Sequence, residues 1–188
     1  MAEHEGRDAA TGSNGTKASK RGITVFRADD GVELFESGTM STPHFDKEDQ
    51  KILAADGPRS KNTLLGDKNS VLFRGPGDDG FSLVKAWFAP GFVLPRHSHD
   101  SDCLYYVESG SVTMGSQTLE AGDGFFVPDG APYAYEAGPE GVTVLEFRTR
   151  TSFGMDIKGG QVDRFRKLAE VADERAEEWA EFQASFSS

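Results

Sequence analysis

Between residues 70 and 150 the apolar residues come in short runs. VLF (71–73), FSLVKAWFA (81–89), CLYYVES (103–109), GFFV (124–127) and VTVLEFRTR (142–150) are separated almost throughout by Gly, Pro, Asp or Ser. Many short runs at this spacing predict an all-β sandwich or barrel, and nothing between Phe81 and Arg150 has a helical period. Upstream, ITVFRA (23–28) and VELFES (32–37) flank Asp29-Asp30-Gly31, and an Asp-Gly pair between β-rich runs reads as a hairpin. The rest of the 23–69 segment is polar and irregular. Residues 1–22 are rich in Gly, Ser, Thr, Asn, Lys and Glu and are expected to form a disordered arm. After Gly159-Gly160 the period changes. From 161 to 183, Phe165, Leu168, Ala172, Ala176, Trp179 and Phe182 recur every three or four positions, which is one apolar stripe on a C-terminal α-helix. Packing against the outside of the barrel is its expected role. The alternative is a dimerisation element anchored by Trp179 and Phe182.

Composition narrows the partners. The chain has 188 residues, which suits one domain with extensions, and a net charge of −11, which argues against nucleic acid or an anionic membrane as partner. A single cysteine excludes an intrachain disulfide framework and fits a reducing compartment. No apolar run is long enough to span a bilayer, and the N-terminus lacks a signal-peptide pattern. The expected location is therefore the cytoplasm.

The chemistry concentrates in GFVLPRHSHDSDCLYYVESG (91–110). His97 and His99 stand one residue apart, and on a strand residues i and i+2 share a face. Both imidazoles then aim at one point inside the barrel. Cys103 follows four residues later, and Tyr105 shares its parity and faces inward with it.

The spacing extends further. Gly91, five residues, His97-Ser-His99, three residues, Cys103, six residues and Gly110 are followed by Gly122, five residues, Pro128-Asp-Gly130, two residues, Tyr133, three residues and Ala137. This layout resembles the two motifs of the cupins, which read Gly-x5-His-x-His-x3–4-Glu-x6-Gly and Gly-x5-Pro-x-Gly-x2-His-x3-Asn. Cys103 occupies the Glu position, Tyr133 the second-motif His position and Ala137 the Asn position. The motifs cover residues 91–137, and the strand pattern extends the resemblance over 70–150. It implies a single cupin-type jelly-roll barrel.

Cupins typically hold a metal with three His and one Glu, and this chain keeps two of the four. The resemblance implies a divalent transition metal (Fe, Zn, Mn, Ni or Cu) at His97 and His99 with Cys103 as third ligand, since a thiolate with two imidazoles is a soft site. Cys103 is otherwise a spectator near the site, as in thiol dioxygenases, or a buried filler. Tyr133 reads as a hydrogen-bonding wall residue or a phenolate ligand. Tyr105 stands at the offset where some cupin lyases carry their base, so Tyr105 and Tyr133 are the catalytic candidates. Trp87, Tyr106 and Tyr135 line or pack the barrel. His44 is an alternative third imidazole, and Asp100 and Asp102 read as solvated turn residues. The implied function is a metal-dependent enzyme acting on a small, partly apolar molecule, with dioxygenation ahead of isomerisation or β-elimination. A non-catalytic ligand-binding barrel and an interaction protein working through its termini are the alternatives. Similar cupins are often dimers through their sheets, which leaves a homodimer open.

Overall fold

Alternation along β4 (Ser82–Phe88) sets the orientation of the main sheet. Ser82, Val84, Ala86 and Phe88 are buried while Leu83, Lys85 and Trp87 lie on the outer face, as a period of two requires. The computed structural model describes residues 22–45, 47, 50, 60–77 and 80–186. Its larger sheet has seven strands in the order β1 (Val32–Glu33), β3 (Asp67–Arg74), β4, β9 (Glu136–Arg148), β6 (Cys103–Met114) and β7 (Gln117–Glu120), with β8 (Gly124–Val127) also on β6. A smaller sheet joins β2 (His44–Phe45), β10 (Asp156–Ile157) and β5 (His97–Ser98). Single bridges at Val93–Glu136 and His97–Tyr133 tie the β5 segment to the chain entering β9.

The register of the large sheet builds the interior in rows. Val127, Cys103, Arg148 and Ser82 lie side by side across β8, β6, β9 and β4, and the next inward row is Phe125, Tyr105, Glu146 and Val84. Two residues further along, Val107, Val144 and Ala86 continue the series. One end of the interior is thus polar and aromatic and the other aliphatic. Gly110 permits the sharp passage of β6 past the β9 hairpin: its φ is +73°, and a Cβ there would run into the Gly141 carbonyl oxygen.

Two helices follow, α1 (Val162–Glu174) and α2 (Ala176–Ser185). The single helix expected over 161–183 is broken at Arg175, whose φ of −112° and ψ of 17° are not helical. Leu168, Ala169 and Ala172 are buried from α1, and Trp179 from α2 is fully buried. Trp179 donates its indole N–H to the Pro90 carbonyl at 3.2 Å, and its ring fills the space a Cβ at Gly66 would need. Trp179 is therefore an intrachain anchor with no surface left for a dimer partner. Phe182 is partly exposed and leans on Trp87, with ring centroids 5.6 Å apart.

The expected hairpin across Asp29-Asp30-Gly31 does not form. Residues 28–30 make a 3-10 turn, residues 23–27 form no strand pairing among the described residues, and β1 pairs with β3 instead, Val32 opposite Val71. The Glu33 carboxylate accepts the N–H groups of Phe35 and Glu36 and turns the chain after two residues. A two-residue strand cannot template a hairpin partner, whereas β3 offers an eight-residue edge. Residues 1–21, where the disordered arm was expected, lie outside the described residues. Among the described residues no helix is long and apolar enough to cross a membrane.

Candidate functional site

Pro95 and Gln161 fix the approach to β5. The Gln161 side chain accepts the Arg96 N–H and donates to the Arg96 carbonyl at 2.7 Å, clamping the residue before His97. The backbones of His97 and Tyr133 then exchange N–H···O bonds at 3.0 and 2.9 Å. This places the phenol of Tyr133 against the imidazole of His97, with ring centroids 4.4 Å apart. Gly130 donates to the His99 carbonyl at 2.8 Å, so the second-motif turn also holds the histidine segment. Asp100 accepts the Gly154 N–H at 2.5 Å and Asp102 accepts the Asp129 N–H at 2.8 Å. Both are exposed or nearly so, and they staple loops together rather than enter the site.

The hydrogen bonds dictate where the protons sit. His97 Nδ1 lies 2.7 Å from the Pro95 carbonyl, and His99 Nδ1 lies 2.7 Å from the Gly154 carbonyl. Carbonyl oxygens only accept, so both imidazoles carry their proton on Nδ1 and present a lone pair at Nε2. His97 Nε2 is 2.8 Å from the Tyr133 hydroxyl, which must therefore donate to it. The Tyr105 hydroxyl, 2.5 Å from that of Tyr133, then donates to Tyr133, and Arg148 Nη2 donates to Tyr105 at 3.1 Å. The result is one directed chain from Arg148 through Tyr105 and Tyr133 to His97. Among the described residues no hydrogen bond engages His99 Nε2.

Arg148 and Glu146 complete the site, and sequence reasoning passed over both. Arg148 is 1% exposed and donates from Nη1 to Glu146 Oε2, and Phe153 covers its plane with the ring centroid 4.0 Å from Cζ. The signal was present in VTVLEFR: Val142 and Val144 face inward, so Glu146 and Arg148 do too by parity. Charged residues near a strand end read as solvent-facing, and that habit hid them.

Electrostatics keep the resting site un-ionised except for this ion pair. Burial lowers the pKa of His97 to about 4 and that of His99 to about 2, and the Arg148 charge pushes both the same way. Burial raises the Cys103 thiol to about 12. Tyr105, Tyr133 and Tyr135 are all raised well above the ordinary phenol value, chiefly by burial. Burial also opposes the Arg148 charge, but its neighbours, Glu146 chief among them, outweigh that and hold it protonated.

Five sequence candidates can now be placed. His97, Tyr133 and Tyr105 meet directly. His99 lies beside them, its ring centroid 4.9 Å from that of His97 and 6.2 Å from that of Tyr133. Cys103 is buried two residues along β6 from Tyr105, in the row of Arg148. Among the described residues, no three His, Cys, Asp or Glu side chains converge as metal ligands. Among the described residues the donor set for a metal is thus two imidazoles in the ligating tautomer, one already accepting a phenol, beside a buried guanidinium. His44 is exposed on β2 and pairs with Asp156 at 3.3 Å, so it is not the third imidazole. Tyr135 lies inside, while Tyr106 and Trp87 face outward.

Fold and motif together define a class: an all-β, cupin-like protein with two C-terminal helices. No family model matches the chain, and no curated protein matches it. It is similar to several solved structures. A KdgF from Halomonas sp. is 24% identical, with 45% of this chain and 80% of that one covered at a TM-score of 0.39. An RmlC-like cupin from Shewanella frigidimarina is 27% identical, with 46% and 78% covered at 0.39. The DMSP lyase DddQ from Ruegeria pomeroyi is 19% identical, with 50% and 51% covered at 0.43. These likenesses are partial and say nothing about the chemistry of this chain. What makes it cupin-like is its own two motifs and the sheets on which they lie.

Proposed function

We propose that this protein is a cupin-type enzyme that moves a proton on a small molecule, in the manner of a lyase or isomerase, with Tyr133 and His97 as the catalytic pair. One observation carries the reading: Tyr133 donates to His97 Nε2 while it accepts from Tyr105. A phenol with a raised pKa is a poor base alone. Backed by an imidazole it becomes a relay. The Tyr133 oxygen takes a proton from a substrate C–H bond as its own proton passes to His97 Nε2, and the electron pair of that bond stays on the substrate. His97 becomes imidazolium, held in place by its Nδ1–H on Pro95. Tyr105, oriented by Arg148, stabilises negative charge that develops on the Tyr133 oxygen. The unengaged Nε2 of His99 accepts a hydroxyl from the substrate and orients it.

The test is deuterium incorporation or elimination in D2O, followed by NMR over a panel of small keto acids, ketones and β-substituted acids. We expect turnover by the wild type, at least ~100-fold loss in Tyr133→Phe, and near-wild-type activity in Cys103→Ser. No exchange or elimination with any member would leave a ligand-binding barrel without catalysis.

A second reading is a metal-dependent oxygenase with His97, His99 and Cys103 as ligands. It is favoured by the Nδ1–H tautomer on backbone carbonyls, the arrangement of ligating imidazoles. Under it, protein reconstituted anaerobically with Fe(II), Mn(II), Zn(II), Ni(II) or Cu retains metal, and His97→Ala and Cys103→Ala both release it.

A further inference from the structure

Arg148 has a donor with nothing to donate to. Its Nη1 reaches Glu146 and its Nη2 reaches Tyr105, but Nε, fully buried, has no partner among the described residues. A buried N–H left unpaired is costly, more so on a charged group, so native proteins rarely leave one without a reason. The guanidinium is also immobilised, with Glu146 at one corner, Tyr105 at another and Phe153 over its face. That leaves Nε–H as the guanidinium nitrogen without a partner among the described residues. In a guanidinium, Nε–H lies parallel to an Nη–H at the spacing of two carboxylate oxygens. Two further buried groups, the hydroxyls of Thr39 and Ser101, also lack partners. The chain at or beside each is tied to the Phe153–Gly154 segment that covers Arg148. The Thr39 carbonyl accepts the Phe153 N–H, and Ser101 follows Asp100, which accepts that of Gly154.

We propose that the small molecule this barrel takes carries a carboxylate, and that Arg148 is the residue that binds it through its Nε–H edge. Calling the occupant a substrate rests on the proton-transfer reading above. The anion site itself does not require Tyr133 and His97 to do chemistry. In that reading, Arg148 holds one end of the molecule and orients Tyr105 toward the reacting end, so binding and proton relay share one fixed cation.

The experiment uses the full wild-type chain labelled with 15N, following the Arg148 Nε–H resonance, with acetate and benzoate as probes and acetamide and benzamide as neutral controls. The resonance is expected to move saturably with the carboxylates and to stay still with the amides. Tyr133→Phe should show the same shift, so loss of the catalytic reading leaves this result standing. Arg148→Lys, which keeps a cation but lacks the fork, should weaken benzoate binding at least tenfold. If that variant does not fold, the wild-type titration decides alone. An Nε–H signal that no carboxylate moves, or that shows a cross-peak only to a resident water, would make this a hydration site and end the proposal.

Discussion

Cys103 and Tyr133 stand where cupins carry ligands, and the structure gives them different company. Tyr133 is engaged on both sides of its oxygen, by Tyr105 and by His97. The Cys103 thiol makes a weak contact, 3.9 Å to the carbonyl of its neighbour Leu104, and lies beside the Tyr105 hydroxyl. With its pKa pushed up to about 12, the thiol holds its proton at neutral pH. Native protein at pH 8 should therefore alkylate with iodoacetamide at least ~100-fold more slowly than unfolded protein, since only thiolate reacts. Equal rates would place an ionised sulfur there and favour the ligand reading of Cys103. Much of this site was legible in advance. The period of two put His97 with His99 and Cys103 with Tyr105, and motif spacing brought Tyr133 to them. The bond from Tyr133 to His97 was not legible, because it depends on a backbone pairing across 36 residues.

The elements were legible where their pattern was long. The runs at 81–89, 103–109 and 142–150 are strands, and alternate residues are buried along β4 and the first half of β6. The short segments failed: 23–28 had strand composition but no strand partner among the described residues, and a strand is stable only when paired. The C-terminal stripe was right where Leu168, Ala172 and Trp179 are buried and wrong in its continuity, since the chain leaves helical geometry at Arg175. Trp179 is where that helix pair is fastened. Trp179→Ala should lower stability by about 3–5 kcal/mol, read from the urea midpoint, and leave the oligomeric state unchanged. A variant as stable as wild type but with fewer subunits per assembly would instead make α2 a dimer element.

Across the whole molecule, three buried groups tie stability to pH. His97 and His99 bind protons less readily folded than unfolded, because burial lowers their pKa values to about 4 and about 2 from 6.5. Asp67 acts oppositely, since burial raises it from 3.8 to about 6. Between pH 6 and pH 4.5 the unfolded chain carries about 1.5–2 protons on these two histidines and the folded chain few, while the folded chain carries about 0.5–1 on Asp67 and the unfolded chain few. The unfolded state is thus ahead by about one proton, and stability should fall by ~1.4 kcal/mol per pH unit on acidification. Urea midpoints at pH 6.0, 5.0 and 4.5 check this, and a midpoint that rises as pH falls would contradict it. The same neutrality underlies the proposed chemistry, because only a neutral His97 with a free Nε2 lone pair can draw the proton of Tyr133. Long-range 1H–15N correlation of the imidazoles in the full chain from pH 7.5 to pH 5.5, with His97→Gln and His99→Gln for assignment, reads that state directly. The account predicts both rings neutral and protonated on Nδ1 throughout, with Tyr133→Phe moving the His97 Nε2 signal. An imidazolium at His97 at pH 6, or a proton on its Nε2, would contradict it.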